Sequence, residues 1–199
     1  MAPLIFSKRL GNSSAVATLE EMILLTGFPS FPGYEHNPSE ALALELGGIL
    51  LPLEKELLLN PIRAELDQLR PSGLLLTGFA PSRAQICVES RALNIWKEPS
   101  RNYQPEAEAI RERGPKQLAT GLDVEAIVTA LTGLGIPARG SGAPGSYLCN
   151  HAYYQALSEL SLPTLLVHLP AFSQIPLEIQ RQAIYEVIQR MKRPGPASE

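Results

Sequence analysis

Cysteine is the scarcest chemical resource in these 199 residues: only Cys87 and Cys149 occur, and they are far apart. Two isolated thiols make neither a disulfide framework nor a clustered zinc site, so a reducing, cytoplasmic setting is expected. Charge of one sign is also lacking. The 17 basic and 20 acidic residues are mixed along the chain and sum to −3, leaving no basic stripe to follow phosphates; nucleic acid is therefore not an expected partner. No apolar run reaches the roughly 18 residues that a membrane span needs, and the N-terminus has no long apolar core of the signal-peptide type. What remains is a chain that is 45% apolar, long enough for one domain with a single core.

Residues 1–21 include the polar run Ser7 to Ser14 and show no period, so they are expected to form a poorly ordered extension, with a single domain over 22–199. Short continuous apolar runs predict buried strands at Met22–Gly27 and Gly73–Gly78, each ending in glycine, at Ile49–Leu53, and at Leu162–Leu169, bounded by prolines. A further strand over Ala84–Val88 would deliver Glu89 at its end. Helical spacing predicts helices from Pro38 to Leu46, capped by Ser39, from Glu54 to Leu69 with a break at Pro61, and from Leu122 to Leu134. Two more are expected, one with Cys149 in its first turn and a final one from Pro176 to Met191. Residues 97–121 are polar and rich in breakers. Strands alternating with helices imply an α/β fold: a three-layer α/β/α sandwich around a largely parallel, mixed sheet. Leu24-Leu-Thr-Gly-Phe28 recurs as Leu75-Leu-Thr-Gly-Phe79, which suggests two strands ending at one sheet edge.

The functional signal centres on Gly140–Leu160. Three glycines and a proline within Gly140–Ser146 demand a loop, and apolar positions Leu148, Ala152, Tyr153, Ala156, Leu157 and Leu160 then follow helical spacing. Cys149 thus falls in a first helical turn, where unpaired amides and the helix dipole favour an anion and a thiol of reference pKa about 8.5 should ionise more readily. By itself such a cysteine also reads as a small apolar filler. His168, at the carboxyl end of a predicted buried strand, supplies the second half of a nucleophile and base pair. Glu89 reads either as a solvated strand end or as a partner for that histidine. Phe28 and Phe31, in a loop dense in breakers, read either as pocket walls or as core anchors.

Together these motifs resemble the pyroglutamyl peptidase I family of cysteine peptidases, over about residues 22–191. Thr26-Gly-Phe-Pro-Ser-Phe31 with Asn37-Pro-Ser39 is similar to that family's first motif, Glu89-Ser-Arg-Ala-Leu-Asn94 to its second, and Gly145-Ser-Tyr-Leu-Cys-Asn150 followed by Val167-His-Leu-Pro170 to its nucleophile and histidine motifs. Gly114-Pro115 and Thr120 fit the segment between. The resemblance implies a Glu89, Cys149, His168 triad that needs no metal or organic cofactor. It also implies a pyroglutamate pocket formed by Phe28, Phe31 and Asn37, and a homo-oligomer, dimer or tetramer. Phe79 stands where many members carry glutamine near the pocket, Ser90 stands where an arginine commonly follows the glutamate, and Arg101 is the nearest candidate for an arginine at the oxyanion. The implied activity is removal of N-terminal pyroglutamate from peptides. Rival readings are a catalytically silent member binding N-capped peptides and a small-molecule amidohydrolase on the same scaffold.

Overall fold

The computed structural model describes residues 22–31, 33–98 and 106–192. The expected extension over 1–21 and Arg101 lie outside the described residues. Within them the chain runs β1 (Ile23–Gly27), α1 (Pro38–Glu45), β2 (Ile49–Leu50), a 3-10 turn (Lys55–Leu57), α2 (Leu59–Leu69), β3 (Gly73–Phe79), β4 (Ile86–Glu89) and β5 (Arg91–Leu93). There follow β6 (Gln117–Ala119), α3 (Val124–Gly133), β7 (Ala138–Ser141), α4 (Leu148–Glu159), β8 (Thr164–Leu169) and α5 (Leu177–Met191).

Six strands form one sheet in the order β2-β1-β3-β8-β4-β7, and β5 pairs with β6 separately. The apolar strands alternate their side chains between two cores. Leu75, Leu165, Val167 and Leu169 face one side, where α1, α3 and α5 contribute Leu42, Leu131 and Ile184. Leu74, Leu76 and Leu166 face the other, where α2 and α4 contribute Ile62, Ala152 and Tyr153. The expected three layers are therefore present, with both sheet faces covered because strands this apolar have no face to give to water.

β1, β2, β3 and β8 are mutually parallel, whereas β4 runs antiparallel to β8 and parallel to β7. This reversal sets Cys87 opposite His168 and carries Glu89 two residues further down, opposite Leu166. Glu89 ends its strand inside the sheet, fully buried, and is not a solvated strand end.

Several local expectations change. The cap of α1 is Asn37, whose side chain accepts from the Ser39 backbone N–H, so Ser39 lies inside the first turn and is not the cap. Pro61 sits in the first turn of α2, where its missing N–H costs nothing, and the preceding residues form the separate 3-10 turn. β6 lies within the polar stretch 97–121, and Ala138-Arg-Gly-Ser141 forms β7. These short segments have little apolar content and become strands because a neighbour offers them a ladder. The repeated Leu-Leu-Thr-Gly-Phe strings are out of step by one residue, since Leu24 pairs with Leu74. Corresponding residues consequently face opposite sides of the sheet.

Candidate active site

The offset explains where Cys149 sits. Gly27 turns toward α1, where an added Cβ would lie 2.1 Å from the Ser39 carbonyl oxygen. Gly78 turns toward α4, where an added Cβ would lie 2.5 Å from Cys149 Sγ and 3.2 Å from His168 Cδ2. Thiol and imidazole edge therefore converge above a residue with no side chain. α4 begins without a capping side chain at Tyr147, after a loop that turns at Gly145 with φ +83°. The first backbone N–H groups of a helix have no intrahelical acceptor, and here they lie at the thiol.

Glu89 organises the histidine from below. Its Oε1 lies 2.9 Å from His168 Nδ1, a bond that directs the imidazole's other nitrogen away from the carboxylate. The same oxygen accepts from Arg83 Nη1 at 2.6 Å, and Arg83 Nη2 donates to the Ala143 carbonyl at 2.6 Å. Arg83 thus ties the Glu89 carboxylate to the loop that presents Cys149. Sequence reasoning missed this arginine; its place six residues before a glutamate on a strand carries no period that would have marked it. Tyr153, one turn after Cys149, donates to the Glu89 carbonyl at 3.0 Å and fixes α4 to β4. Asn150 holds the chain after β5 through bonds to Leu93 N–H, Leu93 C=O and Ile95 C=O at 2.8, 2.9 and 3.0 Å. The Gly114-Pro115 motif receives Tyr154, which donates to the Pro115 carbonyl at 2.8 Å.

The electrostatics overturn one expectation. Burial pushes the Cys149 thiol up to about 12, outweighing the backbone amide and the Arg83 charge that favour the thiolate. Helix position alone does not produce a resting thiolate here. Burial likewise pushes the His168 imidazolium down, against the pull of Glu89, and Arg83 adds to the downward shift. Glu89 is held below the usual carboxylate range: burial opposes its ionisation, but the bond to His168, the His168 charge, Ser141 and Arg83 together prevail. At neutral pH the arrangement is a protonated thiol, a neutral imidazole and an ionised carboxylate.

The aromatic loop lies above the ends of β1 and β3. Phe28 is buried in the same cluster that Cys149 packs against. Phe31 and Phe79 are joined through Tyr34, with ring centroids 5.0 and 5.5 Å from it. Phe79 is the register partner of Leu169, whose side chain faces away from α4, so it supports the loop through Tyr34 from the face opposite Cys149. Nothing in the sequence marks Tyr34 for this role. The Asn37 amide is consumed within the fold: it donates to the Phe28 and Pro29 carbonyls at 2.9 and 3.1 Å and accepts from Ser39 N and Oγ at 2.9 and 2.8 Å. Its influence on a ligand would pass through Phe28. Ser90, in place of the family's arginine, donates from backbone and side chain to the Ser141 carbonyl at 2.7 and 3.1 Å. No group of three or more His, Cys, Asp or Glu side chains among the described residues is arranged to hold a metal ion.

Comparison with known proteins agrees with this geometry. The family model described as pyroglutamyl peptidase matches residues 21–189. A pyrrolidone-carboxylate peptidase of Oceanobacillus iheyensis is 31% identical over 172 residues, covering 78% of this chain and 86% of its own length. That of Chromobacterium violaceum is 34% identical over 161 residues, or 74% of this chain and 77% of its own. Among solved structures, the pyrrolidone carboxyl peptidase from Thermus thermophilus superposes with a TM-score of 0.74 at 32% identity, over 85% of this chain and 100% of that one. The pyroglutamyl peptidase I from Bacillus amyloliquefaciens gives a TM-score of 0.76 at 27% identity, over 88% and 96%. With the match running from β1 through most of α5 and spanning the glutamate, the cysteine and the histidine, the chain belongs to the pyroglutamyl peptidase family of cysteine peptidases.

Proposed function

We propose that this chain removes pyroglutamate from the N-terminus of peptides, with Cys149 as nucleophile, His168 as general base and acid, and Glu89 as the group that orients the imidazole. The observation that carries this reading is the meeting of Cys149 Sγ and the His168 edge above Gly78, with His168 Nδ1 anchored on Glu89. Because the resting thiol is protonated, thiol deprotonation accompanies attack: His168 takes the proton as the Cys149 Sγ–C bond forms on the carbonyl carbon. The oxyanion is received by backbone N–H groups at the start of α4, left open by the uncapped Tyr147. His168 then returns the proton to the leaving amine as the C–N bond breaks, and water cleaves the thioester by the reverse sequence.

The lactam is small and neutral, which suits apolar walls at Phe28 and Phe31 on a loop held by Asn37. Phe79 acts on that wall through Tyr34. Arg101 is carried as an oxyanion candidate from the family resemblance alone. A free-thiol nucleophile in a chain whose described residues include no helix long and apolar enough to cross a membrane supports a reducing, cytoplasmic setting. Homo-oligomerisation is likewise carried from the resemblance, and light scattering tests it. The deciding experiment is release of a fluorophore from a pyroglutamyl amide: turnover by the native chain, none by Cys149→Ala, and none from the corresponding prolyl amide. Equal turnover by Cys149→Ala would sink the assignment.

A further inference from the structure

Four residues around Glu89 form a circuit of hydrogen bonds that is complete except at one step. Glu89 Oε1 accepts from Arg83 Nη1 at 2.6 Å, Arg83 Nη2 donates to the Ala143 carbonyl at 2.6 Å, and the Ala143 N–H donates to Ser141 Oγ at 3.2 Å. The open step lies between Ser141 and Glu89, and it coincides with an orphaned atom. Glu89 is fully buried, His168 Nδ1 also lies on Oε1, at 2.9 Å, and Oε2 has no partner among the described residues. A buried carboxylate oxygen without a donor is costly, and such atoms are rare in folded proteins.

Ser141 is placed to supply the donor. It pairs with Glu89 in the parallel ladder of β4 and β7, so both side chains leave the same face of the sheet. Ser90 N–H and Oγ, at 2.7 and 3.1 Å from the Ser141 carbonyl, hold that register. Ser141 is buried, and its oxygen accepts from Ala143 while its proton goes to no acceptor among the described residues. A hydroxyl has one proton to give and turns to suit its neighbour. The titratable groups on this face are otherwise engaged. Arg83 is shared between Oε1 and Ala143, His168 on β8 is on Oε1, and the Cys87 thiol on β4 donates to the Gln85 carbonyl at 3.5 Å. On α4, Tyr153 donates to the Glu89 backbone carbonyl and Cys149 lies above Gly78; on β7, Arg139 is exposed. Burial works against the ionised Glu89 carboxyl, whereas His168, then Ser141, then Arg83 favour it and prevail.

With Oε1 alone held, the carboxylate is free to rotate about its last bond and carry Oε1 off the imidazole. We infer that Ser141 is a positioning residue for the peptidase reaction: its hydroxyl donates to Glu89 Oε2, fixes the carboxylate plane, and ties that plane to the loop that presents Cys149. The inference rests on the peptidase reading of Cys149, His168 and Glu89. A donor at Oε2 steadies the charge of the carboxylate. Its loss makes the Glu89 and His168 pair take up a proton more readily, so the neutral imidazole is lost at a higher pH.

The test compares full-length native chain, Ser141→Ala and Ser141→Thr, the last keeping the hydroxyl. Fluorophore release from a pyroglutamyl amide is followed across pH, and the His168 ring is titrated by NMR. The chain has three histidines, so loss of one signal in His168→Gln assigns it. Ser141→Ala should lose about tenfold in kcat with KM little changed, the scale of one hydrogen bond to a charged group. Its acid limb and its His168 titration should both move to higher pH, and Ser141→Thr should return both toward the native positions. A residue that merely shapes the loop would lower activity at every pH and leave the titration where it was. An acid limb or a His168 titration that stays in place in Ser141→Ala, or a Ser141→Thr that matches Ser141→Ala, would overturn the role given to Ser141. Absence of turnover by the native chain rejects the peptidase reading instead, and the His168 titration then still decides whether Ser141 holds the carboxylate.

Discussion

Gly78 and Gly27 occupy the same place in identical Thr-Gly-Phe strings, but the packing around them assigns different consequences to a methyl group. At Gly78 the added carbon would meet the end of the Cys149 side chain at 2.5 Å, and that side chain can swing aside. Gly78→Ala should therefore fold with a nearly unchanged melting temperature while kcat/KM falls by about 100-fold, the scale that an ångström of misplacement costs. At Gly27 the obstacle is backbone, the Ser39 carbonyl at 2.1 Å, which cannot swing aside. Gly27→Ala should lower stability by about 3 kcal/mol, at the upper end of overpacking costs, as denaturant unfolding will measure. The proposed triad offers a second test at this scale. His168 must be neutral to act as base, and its pKa is pushed below the ordinary 6.5, so the acid limb of kcat/KM should lie below pH 6.5. Arg83 disfavours the imidazolium and Glu89 favours it. Arg83→Met should consequently move the limb to higher pH and Glu89→Gln to lower pH; shifts of the same sign in both variants would contradict opposite electrostatic roles for these two side chains. Alkylation of Cys149 should also be slow at neutral pH despite its proposed role as nucleophile, because burial pushes its thiol up to about 12.

At the scale of elements, the loop between β1 and α1 is held by one side chain working in both directions. Asn37 caps α1 through its oxygen and gathers the Phe28 and Pro29 carbonyls through its nitrogen. Asn37→Ala should lose about 1 kcal/mol for the cap, with a further loss for the two donor bonds, and should raise KM as Phe28 loosens. Asn37→Asp separates the two functions. It keeps the capping acceptor but sets a carboxylate against two carbonyls, so more of the helix's stability should survive than in Asn37→Ala while KM still rises. Equal KM for Asp and Asn would show that the loop does not depend on this amide. By the same reasoning Phe79→Gln should act through the Tyr34 ring contact, altering KM through loop position and not through a direct polar contact with the lactam.

For the whole molecule, β1 lies between β2 and β3 and obtains its ladder from Ile23 onward, so a chain of residues 22–199 should contain a complete sheet. Its melting temperature should lie within a few degrees of the full chain's and its activity should match; a larger drop would show that residues 1–21 pack onto the domain. Layering, most helices and the place of Cys149 in a first helical turn were legible in the sequence, because apolar period and glycine or proline punctuation act locally. The motifs around Glu89, Cys149 and His168 pointed to a peptidase for a related reason: each is a short contiguous string. Four features were not legible. The reversal of β4 that buries Glu89 beneath His168, the one-residue offset between the repeated strings, the clamp of Arg83 on both Glu89 and Ala143, and the protonated state of the Cys149 thiol all arise from residues distant in sequence. Sequence alone therefore singled out the side chains that the proposed reaction uses. Tertiary structure decided their ionisation and mutual placement, because desolvation and strand register exist only once the sheet has closed around them.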